Sequence, residues 1–250
     1  MNGKAVSIAI IAALAGLIGG FLLANGLNRS EINALKLQAG NAASNATNSN
    51  AQSTAPGDIN LDPEEIKAKI AEADAAPTNF DFQKNLGGAL YRYAAMKKDP
   101  ALLEEAVRVL ARANQLKPDD YPVLIDLGNG LFDIGYFKKD AAKLRESRSI
   151  YEKALAIKPT DADVRADLAL AYYLDEPPDL TKAVSEFQRA VKDNPKQERA
   201  LQYLAQTYIR QSDFASAQKI VDQLKSVNPQ NDSLVILVSQ IEKREAQPIQ

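Results

Sequence analysis

Three carboxylates, Asp161, Asp163 and Asp167, fall in one short stretch of the 250-residue chain. A pair of such groups with separated pKa values is the minimum equipment for general acid and base catalysis. They stand, however, where a helix is expected to begin, and anionic side chains there accept unpaired backbone N–H groups and complement the helix dipole. All three are therefore read as capping residues. Gly128-Asn129-Gly130 resembles the opening of a dinucleotide-binding loop, but Asp133 stands where the third glycine belongs and no strand is expected before it. The chain has no histidine and no cysteine. It thus lacks the imidazole base, the thiolate nucleophile and the common transition-metal ligands. The expectation is a protein that is not an enzyme and takes no cofactor and no metal. Charge excludes another class: 30 basic residues against 32 acidic ones give no field for holding a phosphate backbone, so no nucleic acid partner is expected.

The elements that position these side chains are marked by four prolines. Each closes a stretch in which a small residue, a bulky residue and a second small residue recur at fixed spacing: Ala106, Leu110, Ala113, Pro118; Ser147, Tyr151, Ala154, Pro159; Ala183, Phe187, Ala190, Pro195; and Ala217, Val221, Leu224, Pro229. Upstream of each, a large residue, a small one and a further large one recur as Leu86, Gly87, Leu90; Leu127, Gly128, Leu131; Leu168, Ala169, Tyr172; and Leu204, Ala205, Tyr208. A period of about 34 to 41 residues built in this way predicts a stack of helical hairpins, each with a helix A and a helix B. Two helices approach to about 8 Å only where one presents Gly or Ala to the other's ridge. Proline lacks an N–H and disfavours helix in the residue before it, so each helix B must stop there.

On these residues the chain resembles the tetratricopeptide repeat family, in its membrane-anchored bacterial envelope type, over residues 62 to 246. The resemblance implies an all-α, TPR-like helical-hairpin solenoid, and the sequence adds one N-terminal transmembrane helix in front of it. The first two units run 41 residues between prolines instead of 34, so their hairpins or turns must be longer. Ser147 and Leu224 replace the usual alanine. Asp62, Pro63, Glu65, Ile66 and Ile70 read as a capped single helix, a starting half-repeat. Leu234, Leu237, Val238 and Ile241 read as a closing cap.

The beginning of the chain differs in kind. Ala5 to Ala24 carries no charge, and at 1.5 Å per residue it is long enough for a hydrocarbon layer of about 30 Å. A cleaved secretory signal is the alternative, with Lys4 as its basic start and Ala24-Asn25-Gly26 as its cleavage region, although the run exceeds the usual apolar length of such signals. The flanking charges discriminate little, and a signal-anchor orientation with the C-terminal domain in the periplasm is favoured. Ala12, Gly16, Gly20 and Ala24 form one small-residue stripe, through which a homodimer could pack; alanine and glycine are also simply common in membrane helices. The expected organisation is a flank (1–4), a transmembrane helix (5–27), a flexible low-complexity linker (28–60), a half-repeat helix (61–77), four repeats (78–231) and a capping helix with its tail (232–250). The localisation expected is a single-pass membrane protein.

The resemblance also implies where a partner would sit. In the family, the residue after the helix-A tyrosine position tends to face a concave groove, which here gives Tyr91, Phe132, Tyr173 and Ile209. Arg92, Asn129, Asp133, Gln202, Gln206 and Arg210 would neighbour them, with Lys84 nearby. One apolar residue per repeat flanked by hydrogen-bonding groups suits a protein or peptide segment. A set that clamps a terminal carboxylate is matched in type by Lys84 and Asn129 but broken by Gly88, Ala166 and Leu170. The function expected is a membrane-tethered scaffold that binds a partner segment, in envelope protein biogenesis or complex assembly. The alternative is a permanent structural subunit that uses its convex face or a loop such as Glu176-Pro177-Pro178-Asp179.

Overall fold

The computed structural model of the chain describes residues 60–244. Ten α-helices and no strand occur among the described residues: α1 (Pro63–Ala75), α2 (Phe80–Lys97), α3 (Pro100–Leu116), α4 (Tyr121–Lys138), α5 (Ala141–Ile157), α6 (Ala162–Tyr173), α7 (Leu180–Asp193), α8 (Glu198–Arg210), α9 (Phe214–Val227) and α10 (Leu234–Lys243). Two compact units are distinguished, Met1–Ala75 and Ala76–Gln250. The first contains α1, whose start is capped by Asp62 Oδ1 accepting from the Glu64 amide at 3.0 Å. The second contains every proline-closed repeat.

Within that second unit the helices pair as α2 with α3, α4 with α5, α6 with α7 and α8 with α9, and each helix B also packs on the next helix A. Helices α2, α4, α6, α8 and α10 touch one another in sequence and so form one wall. Proline fixes where each helix B ends. Lys117, Lys158, Asn194 and Asn228, the residues just before the four prolines, have φ of −139, −125, −138 and −143, outside the helical range, as the proline ring demands. Helix starts are fixed by side chains that replace missing backbone acceptors: Asn79, Asp99, Asp120, Asp140, Asp161, Asp179 and Asp213 each accept from an amide two or three residues on.

The small residues lie where the recurrence puts them. Ala106, Ala169, Ala183, Ala205 and Ala217 are fully buried. At Gly87 an added Cβ would stand 2.8 Å from Leu110 Cγ and 3.1 Å from its backbone nitrogen, so the α2–α3 crossing has no room for a methyl group. Ser147, a departure from the small apolar pattern, is buried and donates its hydroxyl to the Leu144 carbonyl at 2.8 Å. Leu224 fills the core between α8, α9 and α10 together with Leu201, Leu234 and Leu237. The extra length of the first two units goes into the helices themselves. α2, α3, α4 and α5 have 18, 17, 18 and 17 residues, whereas α6 to α9 have 12, 14, 13 and 14.

One expectation requires correction. Residues 5–27, where the sequence places a transmembrane helix, lie outside the described residues, and so do Ala12, Gly16, Gly20, Ala24 and the dimer stripe they would form. Among the described residues no helix is long and apolar enough to cross a membrane. The longest, α2 and α4, carry Asp81, Lys84, Arg92 and Lys97, and Asp126, Asp133 and Lys138, charges that a hydrocarbon layer would reject. The described architecture is an all-α stack of hairpins without a spanning element. A single-pass membrane location with a periplasmic C-terminal domain is therefore not supported.

Candidate functional site

The wall formed by the A helices is stitched by polar contacts between successive members. Lys84 of α2 pairs with Asp120, the cap of α4, at 2.8 Å, and Arg92 of α2 pairs with Asp126 of α4 at 3.2 Å. Gly88 makes the second pair possible, because a Cβ there would lie 2.6 Å from Asp126 Oδ2. Tyr91 of α2 couples electrostatically to Asp133 of α4, and Tyr151 of α5 donates to Asn129 Oδ1 at 2.9 Å. Further along, Arg199 of α8 pairs with Asp167 of α6 at 2.7 Å, and Gln197 donates to Asp163 Oδ1 at 3.0 Å. Arg210 donates to the Tyr173 carbonyl at 3.1 Å and lays its guanidinium over the Tyr173 ring, 4.5 Å from the centroid.

The residues expected to line a groove fall into two groups. Tyr91, Arg92, Asn129, Phe132, Asp133, Gln202 and Arg210 are half-buried on this wall, while Tyr173, Gln206 and Ile209 are buried. Phe132 packs against the core of the second repeat and that of the third. Ile209 belongs to the core shared by α8, α9 and α10. Lys84 and Asn129, which match a carboxylate clamp in type, are engaged by Asp120 and by the Tyr151 hydroxyl. The loop at 176–179 follows Asp175, which is buried and held by Arg148 at 2.7 Å.

The carboxylate cluster is divided by the structure. Asp161 is a cap, accepting from the Asp163 and Val164 amides at 3.1 and 3.0 Å, and it also accepts from the Tyr121 hydroxyl at 2.5 Å. Asp167 is not a cap: it stands inside α6 and faces the wall. Burial pushes its carboxyl up to about 6, with Arg199 pulling the other way and Asp163 and Asp161 adding to the rise. Burial also pushes Asp133 up to about 6; the charge of Asp167 adds to this and the Tyr91 hydrogen bond opposes it. No cluster of three or more histidine, cysteine or acidic side chains able to hold a metal occurs among the described residues.

These shifts predict a pH dependence. A carboxyl raised in the folded state above its ordinary 3.8 holds its proton more tightly folded than unfolded, so stability falls as pH rises from about 4 to about 6 and stays lowered above that. Replacing Asp133 with Asn removes the charge and retains an acceptor for Tyr91. Asp133→Asn is expected to raise the melting temperature at pH 7 by about 2–4 °C and to leave it unchanged at pH 4. An equal shift at both pH values would contradict this account.

The comparisons with known proteins agree with the fold. A tetratricopeptide repeat family model matches residues 179–241, from the cap of α7 into α10. A comparison with the curated proteins finds no match. Among solved structures, a double mutant of MamA from strain RS-1 superposes with a TM-score of 0.55 at 22% identity, covering 68% of this chain and 86% of the other. Another MamA crystal structure gives 0.53 at 18%, covering 69% and 98%. TTC0263, a thermophilic TPR protein of Thermus thermophilus, gives 0.50 at 14%, covering 72% and 97%. At these identities the likeness is one of fold. With helices closed by proline and small residues at each crossing, the chain has the helical-hairpin fold of tetratricopeptide repeat proteins, and over residues 179–241 it matches the model of that family.

Proposed function

We propose that the chain is a non-catalytic interaction scaffold that holds a segment of a partner protein against the wall of A helices, in the assembly or biogenesis of a protein complex. The observation that supports this most is the wall itself. Tyr91 and Phe132 stand half-buried among Arg92, Asn129 and Asp133, and ion pairs between neighbouring helices fix their backbone in advance. A preformed surface of this kind spares the ordering cost of binding, and apolar residues flanked by hydrogen-bonding groups suit an extended or helical segment.

The test is selection from a displayed random-peptide library on the full chain, followed by affinity measurements on the selected peptides. A Tyr91→Ala/Phe132→Ala variant that keeps its helicity is expected to weaken them by about tenfold or more, as loss of central aromatic anchors does elsewhere. Peptides that bind the double variant undiminished would place the interaction away from this wall.

A further inference from the structure

The extra length of the first two hairpins is confined to one end of each. The four A helices start six residues before Leu86, Leu127, Leu168 and Leu204, and the four B helices run ten residues past Ala106, Ser147, Ala183 and Ala217. Beyond those leucines, α2 and α4 continue for eleven residues, to Lys97 and Lys138, whereas α6 and α8 stop after five and six. The turns that close the long hairpins therefore stand about 8 Å further out along the helix axis than those of the short ones. A small core of Ala94, Leu103 and Ile134 supports the extension from inside. At its end the sequence recurs at a step of 41 residues, as Met96-Lys97-Lys98-Asp99 and Phe137-Lys138-Lys139-Asp140. Lys138 reaches Glu104 in the first turns of α3, which sets the two tips side by side. Asp99 and Asp140 are engaged as helix caps, while Lys97, Lys98 and Lys139 are exposed and have no carboxylate partner among the described residues. Tyr136 and Phe137, 56% and 40% exposed, meet edge to face at 5.6 Å. The turns of the short hairpins, 174–179 and 211–213, contain no lysine or arginine.

We propose that these two projecting tips form a surface that docks on an anionic lipid bilayer, with the lysines against the headgroups and Phe137 and Tyr136 lodged between them. The assignment is independent of the groove reading above. Charge complementarity decides the chemistry of the occupant: basic side chains free of internal partners attract an anionic layer, each adding to the attraction. Shape decides between a bilayer and an acidic protein segment. A segment is held in a concavity that surrounds its anchors, whereas a protruding tip meets a flat layer and can push its rings into it. Aromatic side chains with charged neighbours suit the headgroup level, where one part is apolar and the other wet. The lysine stems lie along the same apolar zone while their ammonium groups stay with the phosphates. Lys98 and Lys139, with φ of 52 and 53, close both turns in the same conformation, so the two tips present their side chains alike. Docking of this kind uses the surface of the layer and requires no spanning helix.

The chain has no tryptophan, so Phe137→Trp in the full chain places a single fluorescent reporter on one tip. On vesicles of phosphatidylglycerol and phosphatidylcholine in equal parts its emission is expected to shift to the blue and to be quenched by brominated acyl chains. On phosphatidylcholine alone it should stay unchanged. Adding Lys98→Glu and Lys139→Glu, both at exposed positions, should weaken the response by about thirtyfold or more with helicity retained. Salt at about 1 M, where charges are screened within about 3 Å, should abolish it. Ile157→Trp, an exposed position at the opposite end of the second hairpin, should report nothing. A Phe137→Trp signal that is absent, equal on neutral vesicles, or undiminished by the two glutamates overturns the assignment. So does an equal response from Ile157→Trp, which would mean adsorption of the chain without regard to the tips. A blue shift produced by poly-glutamate and not by vesicles would make the occupant an acidic protein segment and overturn it as well.

Discussion

Replacing Phe187 with alanine is expected to cost the repeat unit about 3–5 kcal/mol, the upper range for truncating a buried aromatic. Phe187 is completely buried on α7 and stacks on Tyr203 of α8, with ring centroids 6.1 Å apart and planes inclined by 9°. Its other neighbours in the core include Ala169, Ala183, Ala190 and Ala200, all fully buried. Alanines have no side chain that can swing into a vacated space, so the cavity stays open and the full penalty is felt. Because hairpins in a stack touch only their neighbours, the damage should be local. Urea unfolding should show α7 to α10 losing protection from hydrogen exchange before α2 to α5. A loss under about 1 kcal/mol, or uniform melting of all hairpins, would show that Phe187 does not hold the third repeat to the fourth.

A similar loss is expected for Arg165→Met, for an electrostatic reason. Arg165 is 4% exposed on α6, yet it carries a full charge. Its guanidinium reaches Glu186 of α7 at 2.9 Å, Asp193 at the end of α7 at 3.2 Å, and the Pro159 carbonyl in the turn before α6. One side chain thereby ties helix A to helix B and to the preceding proline. Removing one partner of a buried ionic group costs about 3–5 kcal/mol, because the partners left behind remain desolvated. Replacing Glu186 and Asp193 with leucine together with Arg165→Met should recover much of the stability. If the triple variant is no better than the single one, the loss comes from packing.

How much of the structure is legible in the sequence depends on whether an interaction is local. Helix ends are legible, because a proline acts on the residue before it and an aspartate caps an amide two or three positions on; Lys117 and Asp99 show both effects. The crossings are legible too, since Gly87 and Ala106 are demanded by the distance between helix axes and not by a particular partner. Asp167 reads in sequence as a cap and is not one, because its role is set by Arg199, which stands 32 residues away in sequence and comes into reach only when α8 stacks on α6. Arg165 looks like any solvated base on a helix, as nothing near it reveals that Glu186 and Asp193 converge on it. The family resemblance places Ile209 and Tyr173 on the groove, but the fold also buries both, Ile209 against the closing helix.

The paired long hairpins carry one last implication. They match in helix length, and the turns that close α2 and α4 match as well, with Lys98 and Lys139 at φ 52 and 53. The scaffold is thus repeated faithfully while the side chain at one place reverses its charge, from Arg92 to Asp133. In a protein built in this way the charge at one joint can change by a single letter while the frame that carries it stays fixed.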